Sequence, residues 1–281
     1  SFSLFSIILT KLMGGMALVT GGADQIEKTV NKSRKFFIYK AFAFIIMIIS
    51  DYVILSSTDD IKNFRKLSLG FRFLQKKIKY STHPVEIIKP EACEFAFIKN
   101  SDFTILTICW MGTPNNIYRK GLLKCIAILT MMIELNINAK LIIIGPKGKA
   151  TNIVEEYAKL NNVFEKIWIT GSVDEVKKYQ LINACSAYFQ ISTYEGFGLA
   201  AAEAFLSNKL VIHSSRGGLK DIFGNEGIII EDKDHNDYTK EDVSNLWQKI
   251  LEFNDYNYKP NKSLYSVKKR AMTFEGIIKE I

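Results

Sequence analysis

Short runs of consecutive apolar residues, separated by longer segments of helical period, set the rhythm of this chain. The runs Met16 to Val19, Tyr52 to Leu55, Thr104 to Cys109, Leu141 to Ile144, Lys166 to Ile169, Ala187 to Ile191, Leu210 to His213 and Gly227 to Ile230 predict strands. Their continuous apolar character suits a parallel sheet covered on both faces. Between them, residues 121–136, 151–161, 174–184, 199–207 and 239–253 predict helices, and such alternation is the mark of an α/β chain built from βαβ units. Several strands run into glycine or a small polar residue: IIIGPKG, WITGSVD, FQISTYEGFG and IHSSRGG. Ligands of open parallel sheets gather at those carboxyl ends.

The stretch HPVEIIKPEACEFAFIKNSD combines two prolines with mixed charge and marks a boundary between residues 84 and 102. It divides the chain into a first part, 1–90, with two clear strands, a linker over 91–101, and a part with six strands, 102–258. The remainder, 259–281, is expected to form a helix packing back toward the first part. Near the start, FFIYKAFAFIIMIISDYVILSS is interrupted by Lys40 and Asp51, which limit the uncharged run to ten residues. That is short of the ~20 needed to span a bilayer, so a buried or membrane-facing helix is expected over 36–49. The opening SFSLFSIILTKLMGG lacks the basic region and cleavage site of a signal peptide and reads as a cut end.

Composition narrows the function classes. With 48% hydrophobic and 23% charged residues, the 281-residue chain is an ordinary globular one, with material for one large or two modest cores. The net charge of +8 comes from scattered lysines, which favour anionic partners weakly, and no dense basic run or nucleic-acid-binding signature is present. Cys93, Cys109, Cys125 and Cys185 form no CxxC pair and lie mostly in apolar runs, as buried free thiols of a reducing cytosol do. His83, His213 and His235 have no metal-binding spacing, and EDKDHND, lacking the glycine and terminal glutamate of a calcium loop, reads as a solvated loop. A dinucleotide-dependent oxidoreductase is disfavoured because no GxGxxG follows a strand.

Chemistry concentrates in STYEGFGLAAAEAF, residues 192–205, where Glu195 and Glu203 stand eight positions apart around a glycine turn. A strand ends near Ser192, Gly196 and Gly198 permit a tight turn, and the residues from Leu199 onward favour helix. The first N–H groups of that helix favour an anion, while ionised carboxylates are pure acceptors suited to sugar hydroxyls. The pattern points to a nucleotide sugar.

This stretch closely resembles the signature of the family 4 retaining glycosyltransferases, enzymes of the GT-B fold, with Glu195, Gly196, Phe197, Gly198, Leu199 and Glu203 in the matching places. Other segments match in order. WMGTPNNIYRKG resembles the family's first phosphate loop, with Gly112, Lys120 and Gly121; LIIIGPKG resembles the second strand with Gly145; KIWITGSVDEVKKYQ resembles the next strand and turn with Gly171; and KLVIHSSRGGLKDIFG resembles the segment after the signature. The likeness is strong over 102–232 and weaker before, where ALVTGGADQ and SDYVILSS look like parts of an N-terminal domain usually larger than the one here.

The resemblance implies two Rossmann-like domains with parallel sheets facing a cleft, the N-terminal one incomplete. It implies transfer of a sugar, with retention, from a UDP- or GDP-sugar to a hydroxyl of a glycan or lipid-linked acceptor, in cell-surface polysaccharide biosynthesis of the lipopolysaccharide kind. It implies neither a cofactor nor a catalytic metal, and a cytoplasmic protein with peripheral contact at the inner face of the membrane. Lys120 would neutralise the leaving diphosphate, and Glu195 would face the donor sugar. Glu203 would hold the ribose, with Arg119 and the backbone N–H groups of Phe197, Gly198 and Leu199 also on the donor. Three departures stand out: Thr113 where the family has an arginine after the glycine, no histidine in the TGGADQ loop, where Asp24 stands, and Lys220 and Asp221 where a glutamate often follows the glycine pair. They leave room for a second reading, a noncatalytic nucleotide-sugar-binding protein of the same fold.

Overall fold

In the computed structural model of the chain, the described residues are 2–20, 36–67, 72–224, 226–253 and 262–279. The apolar runs become two separate all-parallel sheets. The first part carries α1 (Phe2–Leu12), β1 (Leu18–Thr20), α2 (Phe36–Ile49), β2 (Tyr52–Leu55), α3 (Thr58–Leu67), α4 (Arg72–Lys76) and β3 (Ile78–Tyr80). Then come β4 (Phe103–Ile108), α5 (Pro114–Lys120), α6 (Leu122–Glu134), β5 (Ala139–Ile144), α7 (Thr151–Leu160), β6 (Ile167–Gly171), α8 (Glu175–Ala184) and β7 (Ala187–Gln190). The chain continues through α9 (Leu199–Leu206), β8 (Leu210–His213), α10 (Gly218–Phe223), β9 (Ile228–Ile229), α11 (Lys240–Phe253) and α12 (Val267–Lys279).

The larger sheet has the order β6-β5-β4-β7-β8-β9, with every neighbouring pair parallel. Alternate side chains of its strands serve opposite faces. Ile105, Leu141, Ile143 and Phe189 pack with Ile126 of α6, Val154 of α7 and Leu246 of α11. Leu106, Ile142, Ile144 and Tyr188 pack with Leu181 of α8, Phe205 of α9 and Phe223 of α10. Each such side chain taken fully out of water contributes about 1.5–3 kcal/mol, which is why the strands read as unbroken apolar runs. Because β4 is followed by β5 on one side and β7 on the other, winding reverses between β4 and β7, and the carboxyl ends of these two strands open a crevice.

The smaller sheet, β1-β2-β3, closes over Met47, Val53, Leu55, Phe64, Leu74 and Ile78. Here the sequence reading needs correction, for among the described residues the first part has three strands and not two. Ile78–Tyr80 was missed because it is a short edge strand alternating with Lys79 and pairing only β2. Strand β1 also sits two residues later than expected. The loop with Asp24 lies outside the described residues. On α2, Met47 is buried while Ile45 and Ile48 are 43% and 47% exposed, so the helix is not wholly buried and carries apolar side chains on its open side as well. Among the described residues no helix is long and apolar enough to cross a membrane.

Residues 81–102 contain neither helix nor strand, a longer connection than the expected 91–101. They lie along the larger sheet's helices: Tyr179 Oη donates to Glu86 O at 2.7 Å, and Val85 N donates to Tyr265 O at 2.8 Å. Helix α12 reaches the same strip, where Arg270 donates to Thr82 O at 2.8 Å. Cys109, Cys125 and Cys185 are buried free thiols, and Cys93 is exposed.

Candidate functional site

Two loops, after β4 and after β7, meet over the crevice. The first, which resembles a phosphate loop in sequence, contains α5. Thr113 accepts the N–H of Asn116 at 3.3 Å as N-cap, Pro114 occupies the first turn, and Ile117 is buried. Gly121 ends this helix at φ +70°, and a Cβ there would stand 2.0 Å from the carbonyl oxygen of Ile191. Only glycine fits both conditions, and the contact sets Lys120 beside the second loop.

Lys120 Nζ lies 2.6 Å from Glu195 Oε2, with side-chain exposures of 22% and 11%. Beneath Glu195 the loop is pinned by backbone: Gly218 N donates to Glu195 O at 2.8 Å. Gly198 then caps α9 without a side-chain hydrogen bond, so the helix start faces the crevice with no internal acceptor from its cap. Just over one turn into α9, Glu203 is 8% exposed and receives Lys178 Nζ from α8 at 3.0 Å, while the same ammonium lies 2.8 Å from Glu175. Burial raises the Glu203 pKa, and the Lys178 ammonium works against that rise. For Lys178, burial acts downward, yet its bonds to Glu175 and Glu203 leave the pKa above its usual value.

The remaining residues expected at the site take distinct places. Gly112, Gly145 and Gly171 follow β4, β5 and close β6, and the loops are stitched together where Met111 N donates to Pro146 O and Gly145 N donates to Gly171 O, each at 3.1 Å. Phe197 is buried, its ring edge-on to His83 with centroids 5.0 Å apart, so its side chain packs and its backbone faces the turn. Leu199 is half-exposed at the start of α9. Arg119 donates to Tyr194 O at 3.2 Å and to Asn116 Oδ1 at 2.9 Å, bracing the loop that carries Glu195.

Several neighbours were not foreseen. His83 gives no local signal; the connection brings it onto Phe197, and burial, then Arg270, lowers its pKa. The acidic loop is not simply solvated: Asp232 is nearly buried in an ion pair with Lys124, with Arg216 at 3.3 Å, and the His235 ring lies 5.1 Å from that of Tyr157. Lys124, Asp232 and His235, with Tyr118 and Thr193, line a cavity of about 240 Å³ beside the crevice. Across from it, the start of α3 meets the larger sheet's loops. Tyr194 Oη donates to Asp60, and the Asp221 carboxylate accepts both the N–H and the hydroxyl of Thr58 at 2.6 Å each. Asp60 is 1% exposed, and burial, then Asp59 and Asp221, raises its pKa to about 7. Among the described residues no group of three or more His, Cys, Asp or Glu side chains is placed to hold a metal ion.

The model of the family described as glycosyl transferases group 1 matches residues 116–245, which run from within α5 to the first half of α11 and include Lys120, Glu195, Lys178 and Glu203. No curated protein matches the sequence. Among solved structures the chain is similar to Alr3699/HepE of Anabaena, determined with UDP and glucose, at a TM-score of 0.68 and 14% identity over 97% of this chain and 71% of that one. It is similar to sucrose-phosphate synthase of Thermosynechococcus elongatus, at 0.71 and 18% identity, over 99% and 71% of the two chains. It is also similar to WaaG, a glycosyltransferase involved in lipopolysaccharide biosynthesis, at 0.62 and 15% identity, over 94% and 70%. At such identities the likeness is one of fold, and the fold is GT-B, with parallel Rossmann-like sheets.

Proposed function

We propose, from the premise that residues 116–245 place this chain among the glycosyl transferases of group 1, that it moves a sugar, with retention, from a UDP- or GDP-sugar to a hydroxyl of a glycan or lipid-linked acceptor. The observation that carries this reading is the Lys120–Glu195 pair, 2.6 Å apart over the crevice at the winding reversal and beside the start of α9. We assign 102–258 to donor binding, 1–90 to the acceptor side and 259–281 to a helix packing back toward the first part.

The diphosphate lies against the backbone N–H groups of Phe197, Gly198 and Leu199, where the start of a helix favours negative charge. Its arrival competes for the Lys120 ammonium, whose three hydrogens can serve phosphate and carboxylate together. The Glu195 carboxylate then stands against the donor sugar and stabilises the positive charge that grows at the anomeric carbon as its bond to the diphosphate oxygen breaks and the bond to the acceptor oxygen forms, the acceptor's hydroxyl proton passing to the departing diphosphate oxygen. Lys120 meets the negative charge growing on the leaving diphosphate. Removing a group that acts only on such developing charge costs about 10²- to 10³-fold in rate. Glu203, held by Lys178, accepts the ribose hydroxyls. Arg119 and Gly112, Gly145 and Gly171 shape the donor side. A lipid-linked acceptor of the surface-polysaccharide kind places the protein at the membrane's inner face, a reading that the exposed Leu12, Met13, Ile45 and Ile48 of the first part support.

The position of Thr113, capping α5 where the family carries an arginine, favours one other reading, a nucleotide-sugar-binding protein without turnover. Thermal unfolding against UDP, GDP, ADP and CMP tests the donor site first. A ligand at ~100 times its Kd adds about 2.7 kcal/mol, a shift of several degrees, and Lys120→Ala and Glu203→Ala should each reduce it. No shift by any of the four with a folded chain would refute donor binding. Release of nucleoside diphosphate that Glu195→Ala abolishes identifies the enzyme; tight binding without release identifies the binding protein.

A further inference from the structure

The residue before the crevice loop breaks the apolar run of β7. Gln190 ends that strand with 1% of its surface exposed, between Phe189 and Ile191, both fully buried. A buried carboxamide is costly unless all its hydrogen bonds are met, so its partners indicate what it is for. Tyr188 Oη donates to Gln190 Oε1 at 2.9 Å, and Gln190 Nε2 donates to Ser192 Oγ at 2.7 Å. Ser192, itself 0% exposed, donates in turn to Glu195 Oε2 at 3.4 Å, the same oxygen that receives Lys120 at 2.6 Å. The direction is set by the chain of partners: the phenol occupies the amide oxygen, the amide nitrogen occupies a serine lone pair, and the serine hydrogen is left for the carboxylate. Ser214 Oγ fixes the serine from the other side by donating to Ser192 O at 2.5 Å.

We infer that Gln190 and Ser192 are positioning residues that hold Glu195 Oε2 against Lys120 and so leave Oε1 for the donor sugar. The inference rests on the transfer reading above. At 3.4 Å the serine bond is long beside the 2.6 Å bond from Lys120 to the same oxygen, and it shortens when the diphosphate draws Lys120 aside. Gln190 touches no substrate. It acts through Ser192, and Ser192 through Glu195.

The test is release of nucleoside diphosphate by the full chain from UDP-glucose, UDP-galactose, UDP-N-acetylglucosamine and GDP-mannose. It compares the unchanged protein with Ser192→Ala, Ser192→Thr, Gln190→Leu and the double variant Gln190→Leu/Ser192→Ala, with UDP and GDP affinities measured by calorimetry. A small misplacement of a reacting group is enough to lower kcat by about ten- to a hundredfold. That loss is expected for Ser192→Ala and Gln190→Leu, with the donor KM and nucleotide affinity within about twofold. Ser192→Thr, which keeps the hydroxyl, should restore most of the rate, and the double variant should be no slower than the slower single one, as for residues acting as a unit. A merely structural role predicts the opposite: lower stability, with kcat per folded molecule unchanged. Unchanged kcat in folded Ser192→Ala, or a raised KM at constant kcat, would overturn the inference while leaving transfer intact. Should Gln190→Leu fail to fold, the two serine variants decide. No release by the unchanged protein from any of the four donors would overturn transfer itself, and the positioning roles with it.

Discussion

Gly121→Ala probes the contact that joins the two halves of the crevice. At φ +70° an alanine pays the left-handed penalty of about 1–2 kcal/mol, and its Cβ also overlaps Ile191 O, 2.0 Å away. Backbone cannot rotate aside as a side chain can, so the overlap adds roughly 1–3 kcal/mol, as overpacking of a tight core does. Gly171 supplies the control: its φ is +74°, yet nothing lies within 4 Å of where its Cβ would be. Gly171→Ala therefore carries the conformational penalty alone. At ~2–4 °C per kcal/mol, Gly121→Ala should lower Tm by on the order of 10 °C and Gly171→Ala by only a few degrees. Scanning calorimetry of both variants, with and without UDP, reads the difference. Because Gly121 follows Lys120 and Ile191 precedes Ser192, pushing these backbones apart should also separate Lys120 from Glu195. The nucleotide-dependent shift should then shrink in Gly121→Ala. Equal losses of Tm in the two variants would refute the close approach and the account of how the crevice is held.

Asp60, with its pKa raised to about 7 against 3.8 for an ordinary aspartate, retains a proton in the folded state that the unfolded chain releases. Stability therefore falls as pH rises from about 4 to 7 and is flat above. Asp60→Asn should stabilise by roughly 2–4 kcal/mol at pH 8 and little at pH 4, a contrast that urea unfolding at the two values checks; equal effects at both would sink it. Asp232→Asn should destabilise by about 3 kcal/mol, because Lys124, 6% exposed, is left without its carboxylate, and Lys124→Met in the same chain should recover most of the loss. Denaturant midpoints of the single and double variants decide this, and a double variant less stable than the single one would contradict it.

How far the sequence reveals this molecule follows from the range of each interaction. Strands β4 to β9 are legible because burial on two faces leaves continuous apolar runs, and the crevice is legible because glycines must stand where strands pass into helices. Helix α5 is not, for TPNNIYRK has two asparagines and no apolar stripe; it is made by Thr113 and Pro114 at one end and by burial of Ile117. Glu195 and Glu203 can be picked out by type and spacing, and Lys120 by the resemblance of WMGTPNNIYRKG to a phosphate loop. Their partners cannot: the serine of the crevice and Lys178 look like ordinary polar residues until β7 and α8 are placed. The pairing of Thr58 with Asp221 joins positions 163 residues apart and leaves no trace in either local pattern.

That pairing also fastens the two units together. Asp221, from the larger unit, accepts both the N–H and the hydroxyl of Thr58 at the start of α3 in the smaller one, beside the cap the helix makes for itself where Ser57 Oγ accepts the N–H of Asp60 at 3.1 Å. One carboxylate thus joins the units and adds negative charge at the positive end of a helix whose first turn already holds Asp59 and Asp60. Parting α3 from α10 would return two hydrogen bonds to water and leave the cap of Ser57 in place, so the seam between the units is separable from the integrity of the helix that forms it.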